Sequence, residues 1–404
     1  MKKLSLRIRL LHDAERTVML SVAAIITVLL VASSVLATVQ PRIEAEAGTL
    51  TDGAVVADNA DASGSKMVVF NSPVAGAPAA SGAKKTTPGT GPAPSGSTGG
   101  TSGGTSGGSS GGGTSAPSGW PDDNNTGYPH GVAGDTRTPV TLTAYAGPCI
   151  LTSPTTINGK DISCRIEVRS SGVVIKNSRI RVVNENAVYV NNVYHVVIMD
   201  TELDGQHGDN SAGGISLIGD GSYTCIRCNM HGSGDIARIN WGGIAIIDSW
   251  LHDPYCIQNS CHNDVMQSTD GNCTNGVDGV IGKVAGTTDT DTGNYCIKIV
   301  HNRLENPNTQ TSNILLKADQ GPIHNVLEDN NLFNGGGYTL YWYDSTYQIS
   351  QGIIRNNRFK RSPTGGYWPN GGYYGPSAGN VADQSRWPTW TNNVWDDTGA
   401  AIPF

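Results

Sequence analysis

The sequence predicts an all-β solenoid, a parallel β-helix, on three observations. Two apolar columns recur down the C-terminal two thirds of the chain. One reads Ile157, Ile175, Ile198, Cys225, Ile246, Ile299, Leu327, Ile354; five residues further on the other reads Ile162, Ile180, Leu203, Met230, Leu251, Leu304, Leu332, Phe359. Two places before the second column runs a series of small polar residues, Ser178, Thr201, Cys228, Ser249, Asn302, Asn330, Asn357 and Asn392. Each unit alternates with period two, as in Val188-Tyr189-Val190 and Ile215-Ser216-Leu217, with Gly, Asn and Asp between the runs; that is the pattern of short strands bounded by turns.

Second-column residues lie 18 to 28 apart, with one interval of 53 between Leu251 and Leu304. The period is therefore one solenoid coil, the long interval is sized for about two, and the domain should hold about 8–10 coils. A leucine-rich repeat would need more than one Leu per unit, and a propeller blade about 40 residues. Stacking explains the polar series, because an Asn at a tight turn can bond the equivalent residue in the coils above and below.

Four segments precede this domain. Residues 1–17 carry Lys2, Lys3, Arg7, Arg9 and Arg16 against Asp13 and Glu15, and Val18–Ala37 is uncharged and apolar over 20 residues, long enough to span a bilayer. A basic flank on the first side keeps the N-terminus in the cytoplasm and exports the chain beyond Ala37. Val35-Leu36-Ala37 is an acceptable processing site, so a cleaved signal peptide and a retained membrane anchor both fit. In residues 38–74, Ile43-Glu44-Ala45-Glu46-Ala47-Gly48 and Asp61–Phe70 resemble the opening strands of a carbohydrate-binding β-sandwich module, but the fragment is too short to bury a sandwich core. Residues 75–118, rich in Pro, Gly, Ser and Thr, read as a disordered linker with a reach of roughly 35–40 Å.

Residues 119–404 resemble secreted bacterial right-handed parallel β-helix proteins of the pectate-lyase-like superfamily. The resemblance rests on Gly119-Trp120-Pro121-Asp122, Val174–Ile180, His262–Gln267, Leu316–Asp319, Asn334–Thr339, Asn357-Arg358-Phe359, Tyr374-Gly375-Pro376 and Asn393–Asp397. It implies a right-handed solenoid and a carbohydrate ligand. It does not select an activity, since such proteins include lyases, hydrolases, epimerases and binders. The Gly-His-Gly and Arg-Ile-Lys signatures of the pectinase-type hydrolases are missing.

All eight cysteines lie between Cys149 and Cys296, and an even count in an exported domain favours disulfides. Cys149 with Cys164, and closure among Cys256, Cys261 and Cys273, are the expected pairings. Cys225-x-x-Cys228 has no second pair at ligand spacing, so no metal site is expected there.

The chain carries a net charge of −7, with the acidic excess from Gly119 onward, which disfavours nucleic acid as a partner. A polyanionic sugar stays compatible, because acidic side chains can hold Ca²⁺ that bridges a substrate carboxylate. The densest polar cluster is His262-Asn263-Asp264-Val265-Met266-Gln267. In a strand His262 and Asp264 would share a face, and an imidazole beside a carboxylate suits a general acid or base; the competing reading is a hydrogen-bonded polar turn. With Ile314 and Leu316 inward, Lys317 and Asp319 would share the outer face. Lys317 could abstract the proton α to a uronate carboxylate, or form a surface ion pair in which Asp319 keeps it protonated. Arg238 could bind a substrate carboxylate or pair with Asp209 or Asp235. His207, Asp209 and Asp235 could hold Ca²⁺ or sugar hydroxyls. In Thr339–Tyr343, alternation places Leu340 and Trp342 in the core and Tyr341 and Tyr343 outward, where flat rings can stack on sugars. Trp387, Trp390 and Trp395 are expected to cap the open end.

These residues point to an exported, extracellular or surface-held protein acting on polysaccharide or cell-wall glycan, as a lyase or a glycoside hydrolase. His262, Asp264, Lys317 and Asp319 would be catalytic, and Gln267, Arg238, Tyr341 and Tyr343 would bind substrate. A hydrolase needs two carboxylates about 5–10 Å apart, for which Asp264 and Asp319 are the candidates. The alternative is a non-catalytic glycan-binding or adhesive β-helix.

Overall fold

The computed structural model describes residues 54–58, 66–70, 119–208, 215–255, 262–273 and 281–404. In the first two stretches Ala54–Asp58 pairs antiparallel with Lys66–Phe70, Ala54 opposite Phe70. The apolar segment 18–37 and the linker 75–118 lie outside the described residues; among those described, no helix is long and apolar enough to cross a membrane.

From Thr143 onward the chain winds through three parallel sheets of nine, nine and ten strands. One turn shows the plan: Ile166–Val168 lies in sheet I, Val174–Lys176 in sheet II and Arg179–Arg181 in sheet III, after which Val188–Val190 stacks on Ile166–Val168 with Val188 opposite Ile166. The strands are short because a coil turns a corner every few residues. Alternation sends one set of side chains inside: Ile166, Val188, Ile218, Ala237, Met266, Ile314 and Leu340 form a continuous column within sheet I, none more than 2% exposed. Each fully buried aliphatic contributes roughly 1.5–3 kcal/mol. Trp342 also lies inside, where Gly352 makes room; a Cβ at 352 would collide with the indole.

The corner between sheets II and III takes two residues. The first is left-handed, as in Asn177, Asp200, Arg227, Asp248, His301, Asn330, Asn356 and Asn392, with φ between 46° and 60°. The second is buried and polar, and in later coils it forms an asparagine ladder: the Asn302 N–H donates to Asn331 Oδ1 (2.9 Å), Asn331 N–H to Asn357 Oδ1 (2.8 Å) and Asn357 N–H to Asn393 Oδ1 (3.1 Å). Asn330 and Asn392, expected in the ladder, are its left-handed neighbours. The same one-residue slip affects the apolar columns. Glu328, not Leu327, stands opposite Ile299 and Ile354, and Phe333, not Leu332, stands opposite Leu304 and Phe359. Leu327 is buried all the same, on the outer side of sheet II in a small cluster with Ala245, Ile247, Tyr295 and Val300.

The 53-residue interval holds one coil, not two, since Trp250 of sheet III pairs directly with Arg303. Its extra length lies in excursions on either side of the sheet I strand Met266–Ser268. The second of these returns over sheet II, where the buried Lys298 ammonium meets Asp289 at 2.7 Å and donates to the carbonyls of Gly282 and Asp291. Disulfides join Cys149 to Cys164, as expected, Cys225 to Cys228 within the core, and Cys273 to Cys296 across this excursion. Cys273 is therefore not a partner of Cys256 or Cys261, both of which lie outside the described residues. Such bonds fit an oxidising compartment.

Trp387, Trp390, Trp395 and Phe404 pack against the last coil. Before the first coil, a strap from Gly119 to Val140 crosses the II/III corner. Trp120 stacks on His301 at 5.2 Å, the Gly127 N–H donates to the Arg227 carbonyl, and Arg137 reaches Asp200 at 3.2 Å.

Candidate functional site

Register places three of the expected residues in one outward column of sheet I: Arg238 stands opposite Gln267, Gln267 opposite Leu315, and Leu315 opposite Tyr341. Two residues along, Lys317 stands opposite Tyr343. On its other side Arg238 meets Gly219, not Val190 or Leu217. A Cβ at 219 would lie 2.7 Å from the Arg238 Cβ, so glycine lets the arginine lie across the sheet. Beside it is a recess of about 110 Å³ lined in part by Asn186, Ser216 and Asp220.

His262 and Asp264 precede the strand and do not share a face. His262 is exposed, Asp264 has no exposed surface, and among the described residues no hydrogen bond or ion pair joins them. Asp264 has the inward parity of Met266, and its Oδ1 accepts from the Ser312 N–H (2.8 Å) and hydroxyl (2.5 Å). Asp235 does the same one coil earlier, its Oδ1 accepting from the Asp264 N–H at 3.0 Å. The second oxygens face the outer column. Asp264 Oδ2 accepts from Gln267 at 3.4 Å, Asp235 Oδ2 lies 3.6 Å from the Arg238 guanidinium, and Arg238 donates to Gln267 Oε1 at 3.1 Å. Two carboxyls one coil apart thus form a floor, and Arg238 and Gln267 cover it.

Burial, and next the Asp235 charge, push the Asp264 carboxyl far above the ordinary carboxylate range, against the bonds from Ser312. Burial also raises Asp235, opposed by the Asp264 N–H and by Arg238. The two titrate as a pair, with Asp264 the member that holds its proton longer.

Lys317 and Asp319 form an ion pair at 3.2 Å on the surface. Lys317 ends the strand Ile314–Lys317, and Asp319 lies just beyond it. Six residues lie between Ser312, the neighbour of Asp264, and Asp319, and the strand Ile314–Lys317 among them alone spans on the order of 10 Å. The carboxyl beside Asp264 is therefore Asp235, not Asp319. A sequence signal for it exists: Asp235-Ile236-Ala237-Arg238 and Asp264-Val265-Met266-Gln267 repeat one phrase at coil spacing.

A ribbon of aromatic rings borders this floor. Tyr343 and Tyr341 lie 5.3 Å apart, Tyr341 and Tyr338 5.5 Å, Tyr338 and Tyr374 5.6 Å, Tyr374 and Tyr373 4.8 Å, and Tyr373 and Trp368 5.1 Å. Leu340 and Trp342 are buried, as alternation requires, and Tyr373 and Tyr374 are about half exposed. Burial and then the neighbouring Tyr343 and Asp264 raise the pKa of the Tyr341 hydroxyl.

Of the expected calcium ligands, His207 pairs with Asp253 at 2.5 Å and Asp209 lies outside the described residues. Among the described residues the one cluster of metal-ligating groups is Cys273, Cys296 and His324, whose two sulfurs are bonded to each other. No family model matches the chain, and no curated protein or solved structure matches it.

Proposed function

We propose that the protein is an exported, right-handed β-helix that acts on polysaccharide laid along the outer face of sheet I, as a glycoside hydrolase with Asp264 as proton donor and Asp235 as its carboxylate partner. The observation that carries this reading is the buried carboxyl pair beside an aromatic ribbon. Stacked coils repeat at about 4.8 Å, close to the short carboxyl separation of retaining hydrolases, and a carboxyl that keeps its proton towards neutral pH is suited to protonate a leaving oxygen. The aromatic rings supply flat faces for pyranoses. Elimination is less well supported. Lys317 is paired with Asp319 at 3.2 Å, and Arg238 is engaged by Asp235 and Gln267, leaving neither side chain free to meet a uronate.

A specific observation favours a second reading, glycan binding without catalysis. Both Oδ1 atoms hold the backbone of the next coil, a structural task, and Arg238 with Gln267 must move before a sugar reaches them. One experiment separates the two. Full-length protein is incubated with neutral and acidic polysaccharides while reducing ends and unsaturated uronates are followed. Asp264→Asn retains an acceptor for the Ser312 N–H but has no acidic proton, so hydrolysis should fall at least about 100-fold with the melting temperature little changed. Full activity in this variant overturns the assignment of Asp264. Absence of any product, with retention on an insoluble glycan, establishes the binding reading.

A further inference from the structure

A cavity larger than the recess beside Arg238 lies away from this groove, between the strap and the II/III corner. It measures about 890 Å³, within the size range of small-ligand sites. Its walls interleave a tryptophan, carboxamides, carboxylates and guanidiniums: Trp120, Asp122 and Asn124 from the strap, and Asn177, Asp200 and Arg303 from the coils.

Three features identify its occupant. Trp120 is braced on one face by His301, so the strap presents a rigid aromatic ring to the cleft. The cationic side chains are already neutralised: Asp200 receives Arg227 at 2.7 and 2.8 Å and Arg137 at 3.2 Å, and Arg137 also pairs with Asp135. The cleft therefore offers directional donors and acceptors more than net charge. Arg303 is held over the Trp250 ring at 5.1 Å and donates an Nη2–H to Glu305 Oε1 at 3.0 Å. Its fixed guanidinium adds a donor edge to the wall of the cleft. Alternating donors and acceptors beside a flat ring suit vicinal hydroxyls on a pyranose.

We infer that this cleft is a second, non-catalytic binding site for a neutral oligosaccharide, formed when the strap folds across the corner. The inference is independent of the role assigned to Asp264, because the two sites share no residue.

The test is calorimetric titration of full-length protein with cellohexaose, xylohexaose and chitohexaose, alone and after substitution in the strap. Trp120→Ala removes the ring. Thr136→Trp fills the cleft from an exposed wall position without deleting a contact, and so remains informative if Trp120→Ala loosens the strap. Both should weaken binding of at least one probe by about tenfold or more, while product release from polysaccharide, read at the groove, stays at the wild-type rate. Affinities for all three probes within about twofold of wild type in Thr136→Trp, or no binding of any probe to the wild type, overturn the inference.

Discussion

Glu328 occupies a position where adjacent coils place Ile299 and Ile354, and its Oε2 has no partner. Burial pushes its pKa up to about 8 from an ordinary 4.5. A raised carboxyl pKa means the folded chain binds the proton more tightly than the unfolded one. Its contribution is complete below about pH 4.5, declines as pH rises, and is lost above about pH 8. Asp264 and Asp235 act in the same direction. Glu328→Gln should therefore raise the urea midpoint at pH 9 but change it little at pH 4, a differential of roughly 3–5 kcal/mol; equal effects at both pH values would show that Glu328 ionises freely in the fold. For Asp264, replacement by Ala should cost about 1–3 kcal/mol more than replacement by Asn, because only Asn still accepts from the buried Ser312 N–H. A pair of denaturation curves checks this. The sequence marked Asp264 as chemically notable but read it as surface chemistry. Its inward parity depends on where the strand begins, and the run from His262 to Gln267 has no glycine or proline to mark that start.

At the scale of the element, the corner between sheets II and III is a two-residue device whose members do opposite work. Asn330 is left-handed and faces outward; Asn331 is buried, accepts from the Asn302 N–H and donates to Ile299 O and Asn357 Oδ1. Asn331→Ala should thus cost about 2–4 kcal/mol through its broken ladder, whereas Asn330→Ala should cost about 1 kcal/mol for placing alanine in the left-handed region. Thermal denaturation of the two variants tests the register, and the reverse order would restore the frame expected from Leu327 and Leu332. The columns were legible for most coils because inward and aliphatic coincide there. They slipped by one residue where Leu327 is covered from outside and a glutamate faces in, since alternation cannot tell which side of a sheet is buried when both are.

For the molecule as a whole, stacked coils make stability local, each coil leaning on its neighbours. The Cys149–Cys164 disulfide closes a 15-residue separation around the first coil, a closure worth about 3 kcal/mol by chain entropy. Replacing both cysteines by Ala should raise amide exchange in residues 143–168 and leave Asn302–Asn393 protected; uniform loss of protection would mean the solenoid unfolds as one unit. The architecture was the most legible level, because periodicity survives a register error in a single coil. The long interval was misjudged for a related reason: period alone counts residues, whereas coils are counted by pairing, and Trp250 pairs straight across to Arg303. The groove was partly legible. Arg238, Gln267 and Tyr341 came together as a column, but their relation to Asp235 needed coordinates.

The strap has a mechanical consequence. Among the described residues of the strap, the first anchorage is Trp120 on His301, followed by Gly127 on Arg227 and Arg137 on Asp200, all of them coils inside the stack. A pull arriving from the N-terminal side therefore loads the middle of the solenoid sideways, and the first coil, with its exposed edges, is shielded from being peeled away.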